Sequence, residues 1–163
     1  MRNIRAILKS YYHEQSQCVI DCDHVMRHVV KGVFARDQLP TNIENYPYGF
    51  IVNTDTGNLP GRHWLAFYYT SEDISEFFDS YGHSPEHFPF ESSLQGRTSD
   101  VCGQYSLYYL LDRCRGVSMK TIVDQFGNNK EENDTFVHNF ISNTFPYCFH
   151  YTCQYQACYA ECK

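Results

Sequence analysis

SLQGRTSDVCGQYSLYYLL, residues Ser93 to Leu111, is the boundary on which the architecture of this 163-residue chain turns. Before it the sequence reads largely as short strands; after it, as helices. A polar loop with one glycine runs into the Cys102-Gly103 pair, and apolar and aromatic residues then follow at helical spacing from Cys102 to Arg115. A thiol at that point has two readings. Cys102 is either a small hydrophobe opening a buried helix or a nucleophile, because the partial positive charge of a helix N-terminus pushes a thiol towards thiolate. The partners a nucleophile needs decide between them.

Upstream, three strand-like runs, GFIVN from Gly49, HWLAFYY from His63 and SEFFDS from Ser75, are separated by the turn-rich TDTGNLPGR and by TSEDI. Earlier still, Val25, Val29, Val30, Val33 and Phe34 recur at helical spacing, which predicts a helix capped by Asp21 or Asp23 and ended by the prolines and glycine of DQLPTNIENYPYG. Downstream, helices are expected around Met119, Ile122, Val123 and Phe126 after Ser118, and around Val137, Phe140 and Ile141 near Asp134, with Gly127 as the stop between them. This order predicts an α+β fold, with helices packed on a small mixed, mainly antiparallel sheet. The length fits one domain over residues 1–163, with residues 1–20 an N-terminal segment of unassigned role and residues 146–163 a Cys/Tyr-rich tail.

Hydrophobic residues make up 42% and charged residues 20% of the chain, a globular composition. Its formal net charge of -6 disfavours attraction to DNA or to an anionic membrane. No window reaches the apolar length of a membrane span, and MRNIRAILKSYYHEQSQ is too interrupted for a secretory signal. The expectation is an intracellular monomer, in nucleus, cytoplasm or a virion, that is not secreted. The eight cysteines are then expected as mostly free thiols. Cys148, Cys153, Cys158 and Cys162 crowd the tail without C-x-x-C knuckles, so neither a metal nor a cofactor is expected.

A cysteine nucleophile needs a base, a group that orients the base, and donors for the developing oxyanion. His63 opens an aromatic strand directly after the NLPGR turn. Asp79 ends the next strand, ahead of Ser80-Tyr81-Gly82, and reaches the imidazole if the two strands pair. Gln95 lies seven positions before Cys102, where its amide can converge with the Cys102 backbone N–H. Taken singly, each has a plainer role: one of eight histidines, a turn aspartate, a polar loop residue.

Together, and in this order, they resemble the adenain family, the adenovirus-type cysteine endopeptidases, and its relatives encoded by Polinton (Maverick) transposons. The likeness is carried by GVFARDQLP (Gly32 to Pro40), IVNTDTG (Ile51 to Gly57), GRHWLAFYY (Gly61 to Tyr69), FFDSYG (Phe77 to Gly82) and LQGRTSDVCGQYSLYYL (Leu94 to Leu110). The family pattern sets HW before a carboxylate and then Q-G-x-x-S-x-x-C-G, matched here by His63-Trp64, Asp79, Gln95-Gly96, Ser99 and Cys102-Gly103. The resemblance implies a papain-related fold, Cys102 as nucleophile, His63 as general base and later acid, Asp79 as the residue orienting it and Gln95 as oxyanion donor. It also implies a polypeptide substrate, a capsid-type precursor of a virus or transposon cut near small residues such as glycine, and it admits an activating peptide.

The adenovirus enzyme has Glu where this chain has Asp79. SUMO-specific proteases share the fold and roles but place Gln one position closer to Cys and Asp directly before it, where this chain has Val101. Family members also carry a longer segment, with a helix and a strand, between acid and Gln; here only HSPEHFPFESS links Gly82 to Leu94, with Pro85 and Pro89 in it. Two further readings therefore stand beside the endopeptidase: an inactive relic or binding module of the same fold, and an isopeptidase acting on a ubiquitin-like modifier.

Overall fold

The computed structural model describes residues 4–59, 61–83 and 93–149, with side chains from Tyr12 onward. Most of the Gly82-to-Leu94 link, with Pro85 and Pro89, and the tail cysteines Cys153, Cys158 and Cys162 lie outside the described residues. Helix α1 (Ile4–Cys22) leads through a single helical turn, α2 (Met26–Val29), into strand β1 (Val30–Ala35). Strands β2 (Tyr48–Asn53), β3 (Trp64–Tyr69) and β4 (Ser75–Phe78) follow, then helices α3 (Cys102–Arg113), α4 (Met119–Val123) and α5 (Lys130–Thr144), and a 3-10 turn at Pro146–Phe149.

The expected α+β arrangement is present, with a four-stranded sheet in the order β1-β2-β3-β4. Two of its three pairings are antiparallel, β2 with β3 and β3 with β4, while β1 pairs with β2 in parallel. No helix among the described residues is long and apolar enough to cross a membrane.

The helix expected over Val25 to Phe34 is corrected. Only its first turn is helical, capped by Asp23, whose Oδ1 accepts the Val25 and Met26 N–H groups at 3.0 and 2.8 Å. From Val30 the chain is a strand. Its β-branched valines suit a pleated surface, and Gly32, at a φ of 134°, sits in the irregular stretch where pairing with β2 shifts register between Val30 and Val33. The long N-terminal helix, by contrast, had no assigned role in sequence. Its last turns bury Cys18, Val19 and Ile20 against α3 and β1.

The sheet is apolar on both faces, which accounts for the frequent aromatics. One face, with Val33, Ile51, Ala66, Tyr68 and Phe78, packs on the helices and meets Tyr105, Leu107, Tyr109 and Leu110 of α3. On the other, Tyr48 stacks on Tyr69 with centroids 4.6 Å apart and Phe50 on Phe67 at 5.2 Å, cross-strand pairs that reinforce β2 against β3. Strand β2 is accordingly buried at every position.

Side chains join α3 to β4. Glu76 on β4 accepts hydrogen bonds from Tyr109 (2.6 Å) and from Arg113 Nε (2.7 Å) and Nη2 (3.1 Å), while Arg113 lies over the Tyr68 ring at 4.5 Å. Phe78 stacks on Tyr109, nearly parallel, at 4.6 Å. The helix that starts at Cys102 is thus clamped to the strand that ends beside Asp79.

Candidate active site

His63 stands just before β3, at the end of a turn in which Gly61 has a φ of 82°. A Cβ there would meet Asn53 Nδ2 at 2.1 Å, so only glycine lets the chain pass this closely over β2. The Thr54 N–H donates to the His63 carbonyl at 2.9 Å and fixes the backbone of the turn. Antiparallel pairing of β3 with β4 then brings in Asp79, whose Oδ1 lies 2.6 Å from His63 Nε2 and also accepts the Tyr81 N–H at 2.8 Å.

Burial works against a charged imidazole here, but the bond to Asp79 and the neighbouring Cys102 thiol outweigh it and push the His63 pKa up to about 9. Asp79 is held below the ordinary carboxylate range: burial opposes its charge, and the bonds from His63 and the Tyr81 N–H overcome that. An ionised Asp79 accepts, so Nε2 carries the hydrogen. The ring nitrogen left to the thiol is Nδ1, which is buried and takes no hydrogen-bond partner of ordinary geometry.

Cys102 is the first residue of α3, only 6% exposed, and Val101 before it supplies no side-chain cap. The helix's opening N–H groups are therefore left for whatever lies in front of the thiol. What lies there is a cleft of about 500 Å³, whose lining includes Cys102, Gly103, Trp64, Tyr81, Ser16 and Phe149. Two free cysteines exist among the described residues, and they differ in kind. Burial first, then the Asp23 charge, pushes the Cys114 thiol up to about 12, which leaves it inert at neutral pH.

No family model matches this chain, and no curated protein matches it.

Of the four candidate residues, His63 bonds to Asp79 and has Cys102 as a neighbour, while the Gln95 amide is engaged elsewhere. It is fully buried, its Oε1 accepts from Ser80 Oγ at 2.6 Å, and its Nε2 donates to the Ser99 carbonyl at 2.8 Å and lies 2.9 Å from Ser99 Oγ. The carbonyl fixes the orientation of the amide, because only a donor satisfies it. The loop around Gln95 is held from three directions. Ser80 O accepts the N–H groups of Leu94 and Gln95, Asn133 Nδ2 donates to Leu94 O, and Asp134 accepts the Gly96 N–H and the Tyr105 hydroxyl.

Ser80, Ser99, Asn133 and Asp134 were not expected as supports. Ser80 and Ser99 lie inside the quoted segments and are short hydroxyls beside a buried amide, which is a usable signal. Asn133 and Asp134 are 39 and 38 residues from their loop partners, and nothing local announces them.

Proposed function

We propose that this protein is a cysteine endopeptidase of the adenain type. The observation that carries the reading is the short His63–Asp79 bond on Nε2, which leaves Nδ1 to the thiol at the start of α3, where Cys102 lines a cleft of about 500 Å³. The reaction is acyl transfer. The Cys102 thiolate adds to the peptide carbonyl carbon, forming a C–S bond while the carbonyl electron pair moves to oxygen. The oxyanion is received by the Cys102 N–H and by one amide hydrogen of Gln95, released from Ser99 Oγ while the Ser99 carbonyl keeps the other. His63 gives its Nδ1 proton to the leaving nitrogen, the C–N bond breaks, and a thioester remains. Water then attacks, losing a proton to His63, and the thiolate departs. A capsid-type precursor with glycine or another small residue at the cut fits the resemblance.

The inactive relic is the second reading, favoured by the inward turn of the Gln95 amide. A peptide electrophile ending in a small residue separates the two. Peptide mapping is expected to find the adduct on Cys102, formed much faster than on Cys114, and Cys102→Ala is expected to abolish both adduct and peptide cleavage with a stability change within about 1–2 kcal/mol. Labelling of Cys102 no faster than of Cys114 would overturn the enzyme.

A further inference from the structure

Tyr81 lines the cleft and touches three of the four candidate catalytic residues, yet the reaction leaves its hydroxyl unused. Its N–H donates to Asp79 Oδ1 at 2.8 Å, its ring lies against the His63 imidazole with centroids 4.6 Å apart, and its hydroxyl is 3.5 Å from Gln95 Nε2. A turn holds it there: the Gly82 N–H donates to the Asp79 carbonyl at 2.9 Å, with Gly82 at a φ of 73°. Backbone and ring thus set the position of Tyr81, and the hydroxyl is left loosely engaged. It donates to the Ser99 carbonyl at 3.3 Å, well beyond the usual O–H···O distance of about 2.7–2.8 Å, and that carbonyl already accepts Gln95 Nε2 at 2.8 Å. Turning the O–H away therefore leaves no acceptor without a donor. Gln95 differs, because the amide hydrogen it would offer the cleft must first leave Ser99 Oγ at 2.9 Å.

We propose that the Tyr81 hydroxyl is a further catalytic group, a third oxyanion donor beside the Cys102 N–H and the Gln95 amide. The proposal rests on the cysteine endopeptidase reading. As the Cys102 thiolate adds to the peptide carbonyl carbon, the carbonyl electron pair moves to oxygen, and the Tyr81 O–H turns from the Ser99 carbonyl to that oxygen without giving up its proton. When the C–N bond breaks, the pair returns to re-form the C=O, and the hydroxyl goes back to Ser99. The gain is confined to the transition state, because the bond exchanged is a long one to a neutral carbonyl and the bond formed is to a charged oxygen. Burial first, then Cys102 and the nearby aspartates, hold the hydroxyl above the ordinary phenol range, so it keeps its proton to donate.

The test compares Tyr81→Phe, which keeps the ring and the N–H, with the wild-type full chain. On a peptide substrate, kcat is expected to fall about 10²-fold with KM nearly unchanged. A peptide aldehyde forms a tetrahedral adduct on Cys102 whose oxygen occupies the oxyanion position, so its affinity should fall by about the same factor, while the matching peptide alcohol binds as before. Iodoacetamide alkylates the thiolate by displacing iodide and makes no oxyanion. Its rate at Cys102 should not change, which also shows that the variant's site is intact. Peptide mapping reads that rate against Cys114, the other free thiol among the described residues; Cys18 and Cys148 are paired as a disulfide, against the expectation of mostly free thiols. Unchanged kcat and aldehyde affinity would overturn the proposal and leave Tyr81 a wall aromatic. So would an equal fall in alkylation, which would make the hydroxyl a support of the thiolate. Wild-type Cys102 that reacts no faster than Cys114 and cleaves no peptide is a separate result, which removes the endopeptidase reading and this proposal with it.

Discussion

Burying an imidazole normally lowers its pKa, yet His63 is pushed up to about 9 because the Asp79 carboxylate is 2.6 Å away and the Cys102 thiol stands on its other side. With a folded pKa above the usual value of about 6.5, the protonated ring stabilises the fold fully below pH about 6.5, and that contribution is lost as pH rises through about 9. Asp79, shifted downward, contributes above the ordinary aspartate range and is lost on acidification through its folded pKa. For the proposed reaction the imidazolium is the acid that releases the amine, so hydrolysis of a peptide substrate is expected to fall as pH rises through about 9. Asp79→Asn removes the charge that sustains the shift but not the burial. Its alkaline limb should move to lower pH and its turnover fall by up to about 10⁴, the scale of the equivalent change in a serine triad. A pH profile of kcat in both proteins checks this; an unmoved limb would reduce Asp79 to a turn residue.

Among the elements, the loop that carries Gln95 is the informative one. A short link before it raised the question of whether anything holds the amide, and the held residues answer in part: Ser80, Asn133, Asp134 and Tyr105 fix the backbone on both sides of Gln95. Such support suits an oxyanion donor, which must keep its place to within about 0.5 Å. Gln95→Ala is expected to lower kcat by about 10²–10³ and leave KM nearly unchanged, as loss of one transition-state hydrogen bond does. Equal kcat in the variant would make the amide a structural plug that only joins Ser80 to Ser99. The sequence showed this loop's residues but not its anchors. Strands β2 to β4 and helices α3 to α5 were legible from alternation and periodicity, whereas the caps Ser118 and Asn129, which accept N–H groups of the first turns they precede, were not singled out. Val25 to Phe34 misled because valines four apart satisfy a helical period even where β-branching and Gly32 favour a strand.

At the scale of the molecule, the candidate site is a joint between two layers. The sheet brings His63 and Asp79, the helical layer brings Cys102, and Glu76 with Arg113 and Tyr109 sets their spacing. The joint was hidden from sequence reading because a glutamate in a strand and an arginine 37 residues later carry no mark of belonging together. One feature of the sheet's contribution has a practical use. Trp64 is the only tryptophan in the chain, it follows His63 directly, and it lines the cleft. All indole fluorescence of this protein therefore originates beside the candidate nucleophile, where emission responds to nearby charge and polarity. A titration of that signal in the intact protein should report the loss of the His63 proton near pH 9, and the same step should vanish in His63→Gln. Occupancy of the cleft by a peptide should be visible in the same emission, with no label attached.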